Sequence, residues 1–143
     1  MSKKILIASD HAGLDLKQRL IEQMPKDTFE DLGTNSKENV DYTDYANELA
    51  SRISSDNNKK GVLICGTGVG MSLAANKFND VRAGLVYNSE VAKLIREHND
   101  ANILVLPGRY MDAHEAKKCV ENFLSSSFAG GRHTRRLNKF INK

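Results

Sequence analysis

Short apolar runs alternate with stretches whose apolar residues recur at helical spacing, and the alternation persists along the whole chain. Lys4 to Ser9 predicts a strand, Leu14 to Met24 a helix ending before Pro25, and Thr28 to Leu32 a second strand closed by Gly33. Asn35 to Asn39 reads as a polar loop, and Tyr42 to Ser55 as a helix through Tyr45, Leu49 and Ile53. Gly61 to Cys65 predicts a buried central strand, followed by a glycine-rich turn and a helix from Ser72 to Lys77. Val81 to Tyr87 and Ala101 to Leu106 predict the last two strands, with helices from Ser89 to about His98 and from Ala113 to Leu124. Gly130-Gly131 then breaks the pattern before a short segment in which Leu137 and Phe140 or Ile141 fall at helical spacing.

Five strands alternating with helices predict a three-layer α/β fold, a Rossmann-like, doubly wound five-stranded parallel sheet covered on both faces. A length of 143 residues fits one domain spanning 1–143, with a C-terminal arm from about residue 130. Right-handed crossovers place ligands outside the carboxyl ends of the strands, so residues directly after a strand are the candidates for chemistry. Those are Asp10 and His11, Cys65 to Gly70, Tyr87 and Asn88, and Gly108 and Arg109.

Composition narrows the function classes. No apolar run approaches a membrane span, and Asp10 and His11 interrupt the stretch that would follow Met1-Ser2-Lys3-Lys4 in a leader, so a cytoplasmic protein is expected. Two cysteines, Cys65 and Cys119, are too few for a disulfide framework, and a metal site needs more ligands at closer spacing. We expect no metal and no cofactor. The net charge of +3 conceals an asymmetry: from Arg132 onward there are five basic residues and no acidic one, while the remaining 131 residues carry 16 positive and 18 negative charges. Such an arm is either a solvated tail or a grip on a small anion. Nucleic acid is disfavoured, because basic residues are not gathered elsewhere and Phe140 is the arm's one stacking ring.

The segment richest in chemistry is Cys65-Gly66-Thr67-Gly68-Val69-Gly70-Met71-Ser72. It sets a thiol at the end of a strand, beside N–H groups that a helix start directs at an anion. That setting favours the thiolate, a base or nucleophile near neutral pH. A dinucleotide site is a poor match. The spacing is GxGxG rather than GxGxxG, and the next predicted strand ends in Tyr87-Asn88 without a carboxylate for a ribose.

Six segments in order resemble the type B ribose-5-phosphate isomerases, whose wider family includes galactose-6-phosphate isomerase subunits. They are Ser9-Asp10-His11, Val40-Asp41-Tyr42, Cys65 to Gly70, Ala74-Ala75-Asn76-Lys77, His98-Asn99-Asp100-Ala101-Asn102, and Gly130-Gly131-Arg132-His133 with Arg136. The resemblance covers essentially the whole chain. It implies a metal-independent aldose–ketose isomerase that interconverts ribose 5-phosphate and ribulose 5-phosphate through a cis-enediolate. By the same resemblance Cys65 is the base and Thr67 assists the proton transfer. Gly66, Gly68, Val69 and Gly70, with Ser72, form an anion hole. His98 opens the sugar ring, and Asn99 bonds the open chain. Asp10 and His11 bind sugar hydroxyls and the ring oxygen, and Tyr42 lies in the site. Arg132 and Arg136 clamp the phosphate, aided by Arg109 and His133. The family's sites are shared in a homodimer, with a tetramer as a further assembly, and its substrate is a small sugar phosphate.

Each of these residues also has a plainer role open to it. Cys65 could be a small buried hydrophobe, His98 a cation at a helix end, Asp10 a helix cap, and the arginines a solvated face. Cys119 lies mid-helix with no anion loop nearby and is expected to be inert. Thr43 stands where the family commonly has proline, and Pro107-Gly108-Arg109 where smaller residues are usual, which could shift Arg109. The alternatives are an allose-6-phosphate or galactose-6-phosphate isomerase, or a non-catalytic sugar-phosphate-binding protein.

Overall fold

The structure, a computed structural model, describes residues 4–140. Five strands form one parallel sheet: β1 (Ile5–Ser9), β2 (Phe29–Asp31), β3 (Gly61–Cys65), β4 (Ala83–Leu85) and β5 (Ile103–Pro107), in the order β2-β1-β3-β5-β4. The helices are α1 (Leu14–Gln23), α2 (Tyr42–Ser54), α3 (Val69–Ala75), α4 (Ser89–Asn99), α5 (Ala113–Ser125) and α6 (Arg132–Leu137).

Alternation of side chains along each central strand builds two cores, one on either face. Ile7, Val62, Ile64, Leu104 and Leu106 pack against the apolar stripes of α1, α4 and α5. Leu6, Ala8, Leu63, Cys65, Ile103 and Val105 meet α2 and α3 on the other face. This is the expected three-layer, doubly wound arrangement. The chain leaves β1 for β2 on one side and returns to β3 on the other, so the reversal of strand order lies between β1 and β3. Asp10 and Cys65 stand at the carboxyl ends of those two strands, the crevice where ligands of such sheets bind.

Most boundaries shift by a residue or two, and three differences from the sequence expectation bear on the site or the arm. The helix expected from Ser72 begins at Val69, because Gly68 caps it at φ 80°, a left-handed conformation that glycine adopts without strain. The fourth strand is confined to Ala83–Leu85 rather than Val81 to Tyr87, and as an edge strand it pairs only with β5. The arm's helix ends at Leu137, and Ile141, which the helical spacing invoked, lies outside the described residues.

Lys17 was not anticipated. It lies on α1 with no exposed surface, although a lysine in an amphipathic helix normally reaches water. Its ammonium meets the Asp31 carboxylate at 2.7 Å, Asn35 Oδ1 at 3.3 Å and the Thr34 carbonyl. Burial lowers its affinity for the proton below that of an ordinary lysine, and the bond and charge of Asp31 oppose that shift. The loop leading towards α2 is thereby fastened at its start. Among the described residues, no helix is long and apolar enough to cross a membrane.

Candidate active site

The carboxyl edge of the sheet gathers one group of candidates. Asp10 is buried, and its Oδ1 accepts from the Gly13 N–H at 3.0 Å. That bond ties the carboxylate to the entry of α1, whose cap position is Gly13 rather than Asp10. The Val40 N–H donates to His11 Nδ1 at 3.1 Å, so a neutral His11 carries its proton on Nε2. Tyr42 opens α2, and its ring lies directly against Gly70, where a Cβ would collide with it. A Cβ on Gly68 would likewise strike Leu85. At Gly66 the obstacle would be the Arg109 guanidinium, 3.1 Å away. The Arg109 guanidinium therefore lies against the glycine turn, and its backbone N–H also donates to the Gly66 carbonyl at 3.0 Å.

Cys65 ends β3 with 5 % of its surface exposed, on the α2/α3 face. The turn that follows has a consistent polarity. The Cys65 carbonyl accepts from the Gly108 N–H at 2.8 Å, the Gly66 carbonyl from Arg109, and the Thr67 carbonyl from the Tyr87 hydroxyl at 2.9 Å. In a trans peptide the carbonyl and the next N–H point opposite ways, and these peptides are trans. The N–H groups of Gly66, Thr67 and Gly68 therefore face away from β4 and β5, as a small anion nest. Val69 and Ser72 stand apart from it: the Val69 N–H donates to Thr67 Oγ1 at 3.2 Å, and the Ser72 N–H to the Gly68 carbonyl at 3.0 Å. Those two amides have partners within the turn and the first turn of α3.

The second group lies at the other end of the sheet. Helices that follow parallel strands run back along them, so α4 starts at the carboxyl edge and delivers His98 and Asn99 about 16 Å away, at 1.5 Å per residue. The arm returns to this end. The Ala129 N–H donates to the Glu97 carbonyl at 2.9 Å, and the His133 ring stacks on His98 with centroids 4.5 Å apart and planes 15° apart. Desolvation, then the positive field of His98, Arg132 and Arg136, lowers the pKa of His133 below the ordinary histidine value. Arg132 and Arg136 are one helical turn apart on α6 and both exposed, as an anion clamp requires. A pocket of about 550 Å³ opens beside Asn99, lined in part by Phe78, Gly84, Ile95 and Phe140.

One chain thus gathers two groups of candidates at opposite ends of the sheet, Cys65 in one and His98 in the other. Among the described residues, no group of three or more His, Cys, Asp or Glu side chains is placed to hold a metal ion. Cys119 is fully buried, and burial, helped by the charge of Glu115, pushes its thiol up to about 12.

The ribose/galactose isomerase family model matches residues 5–140. The probable ribose-5-phosphate isomerase B of Mycoplasma pneumoniae is 44% identical over 144 residues, covering 99% of this chain and 95% of that protein. Ribose-5-phosphate isomerase B of Escherichia coli is 39% identical over 137 residues, covering 94% and 92%. Among solved structures, the ribose 5-phosphate isomerase of Thermotoga maritima superposes with a TM-score of 0.92 at 48% identity, covering 97% of each chain. The Mycoplasma genitalium ribose-5-phosphate isomerase B with bound ribulose-5-phosphate gives 0.91 at 44% identity, covering 97% of this chain and 94% of that one.

Proposed function

The chain belongs to the ribose/galactose isomerase family, and on that footing we propose that it interconverts ribose 5-phosphate and ribulose 5-phosphate without a metal. The observation that carries this reading is Cys65 at the head of a turn whose three carbonyls are bonded towards β4 and β5, which leaves the next three amides facing the other way. Isomerisation needs a base between C2 and C1, donors for the oxygen that becomes negative, and a grip on the phosphate. Cys65 takes the proton from C2 of the open-chain aldose and returns it at C1, while a hydroxyl proton passes from O2 to O1 with help from Thr67. The amides of Gly66, Thr67 and Gly68 stabilise the cis-enediolate, charge that exists only between substrate and product. Asp10 offers its Oδ2 and His11 its Nε2–H to the sugar, beside the Tyr42 ring.

Ring opening and phosphate binding fall to the second half-site. We infer a homodimer in which His98, Asn99, Arg132, His133 and Arg136 of one copy complete the Cys65 crevice of the other. Two observations support this: the half-sites lie at opposite ends of the chain, and α3 exposes Val69 and Leu73, 47% and 66% accessible, next to Cys65. Pairing Cys65 of one copy with Asn99 of another would bring that apolar face towards the pocket beside Asn99.

Ketose formation from ribose 5-phosphate with EDTA present is the direct test. Turnover is expected. Failure on this substrate but activity on allose 6-phosphate or galactose 6-phosphate would move the reading to a six-carbon isomerase. Failure on all three would leave a sugar-phosphate-binding protein.

The two thiols should also separate chemically. Iodoacetamide is expected to label Cys65 and stop turnover, with ribose 5-phosphate protecting it, while Cys119 stays unmodified until the chain unfolds. Mass mapping of the native protein reads both sites. Native labelling at Cys119, with Cys65 untouched, would contradict the assignment of the base.

A further inference from the structure

We propose that Tyr87 is a positioning residue of the reaction, holding the Gly68 N–H towards the enediolate from the far side of the turn. This rests on the isomerase reading above and adds a residue outside the crevice. Of the three carbonyls that set the polarity of the turn, two are held by backbone amides, those of Gly108 and Arg109. The third, Thr67, is held by a side chain, the Tyr87 hydroxyl at 2.9 Å. It is also the peptide whose other end is the Gly68 N–H.

Neighbouring contacts show that this end of β4 is built around the turn. Leu85, the last residue of β4, fills the space a Gly68 side chain would need. Tyr87 follows two residues later, and its ring leans on Tyr110 with centroids 6.4 Å apart. Tyr110 lies next to Arg109, whose amide holds the Gly66 carbonyl. Yet Tyr87 is half-exposed, so its ring contributes little to the core and the hydroxyl is its specific contact. An amide aimed before the charge develops needs no reorganisation during the step, and losing that aim weakens binding of the transition state more than of the substrate.

Tyr87→Phe removes the hydroxyl and leaves the ring. Its kcat is expected to fall by about tenfold, less than the roughly 10²–10³ lost when an oxyanion donor is itself removed. KM for ribose 5-phosphate and the melting temperature should stay near wild type, while a phosphorylated hydroxamate resembling the enediolate should bind about tenfold more weakly. Tyr110→Phe, which keeps the ring contact, should match wild type throughout.

A second readout needs no substrate. The Gly68 amide order parameter should drop in Tyr87→Phe from the rigid range, about 0.85, towards about 0.6, with Gly66 and Thr67 unchanged. An inactive wild type would count against the isomerase reading, and the amide measurement would still decide the role of Tyr87. An unchanged Gly68 amide in the variant overturns the proposal. So does a variant with wild-type kcat, or one in which KM alone rises.

Discussion

Cys65→Ala is expected to bind ribose 5-phosphate and fail to isomerise it. A positioned general base contributes about 10²–10⁴ in rate, so kcat should fall by about 10³ or more. The fold should survive, because the substitution removes a single sulfur atom at the edge of the core, beneath a turn held by Gly108, Arg109 and Tyr87. A melting temperature near wild type, substrate affinity within a few-fold, and loss of turnover would together assign the proton transfer to the thiol. The same experiment separates catalyst from sensor, since a binding protein has no use for the sulfur. Retention of about a tenth of the wild-type rate would move the base to another group, with Asp10 a candidate at the end of the adjacent strand.

The second large effect concerns assembly. Cys65→Ala and His98→Asn chains, each inactive alone, are expected to regain activity when co-expressed with different tags and isolated as the mixed dimer. In that dimer one crevice combines an intact Cys65 with an intact His98, and the other has neither. Two equivalent sites reduced to one predict about half the wild-type rate per dimer. Inactive mixed dimers would show that the half-sites of different copies do not combine. The arm's chemistry would then need another explanation, for the arginines and His98 share one end of the chain.

Apolar periodicity revealed all five strands because each central strand is buried on both faces and each covering helix on one. It failed where glycine does something other than end an element. Gly70 lies inside the first turn of α3, with its bare Cα facing the Tyr42 ring, and a run of glycines gives no sign of that. At β4, Val81 and Val86 are buried beyond the ends of the ladder, so the apolar run overstates the strand.

The candidate crevice was legible because Asp10, His11, Cys65 to Gly70 and Arg109 lie at or just after strand ends in the sequence, and those ends share one edge. Tyr87 met the same criterion, but its bond to Thr67 bridges twenty positions and has no local signature. Lys17 was invisible for the opposite reason. Its partners, Asp31, Thr34 and Asn35, come together only once β2 lies beside β1, and a lysine among polar helix positions reads as solvated. The separation of His98 from Cys65 was equally hidden, since it follows from the direction of α4.

Gly66, Gly68 and Gly70 are each closed in by a different part of the molecule: Arg109 after β5, Leu85 on β4 and Tyr42 at the start of α2. The consequence is evolutionary. A larger residue at any of the three meets a neighbour that belongs to the site or to the strand supporting it, so few single steps away from glycine are open. Drift at Gly68 and Gly70 must wait for a permissive change on β4 or at the start of α2, whereas Gly66 meets only the movable end of the Arg109 side chain.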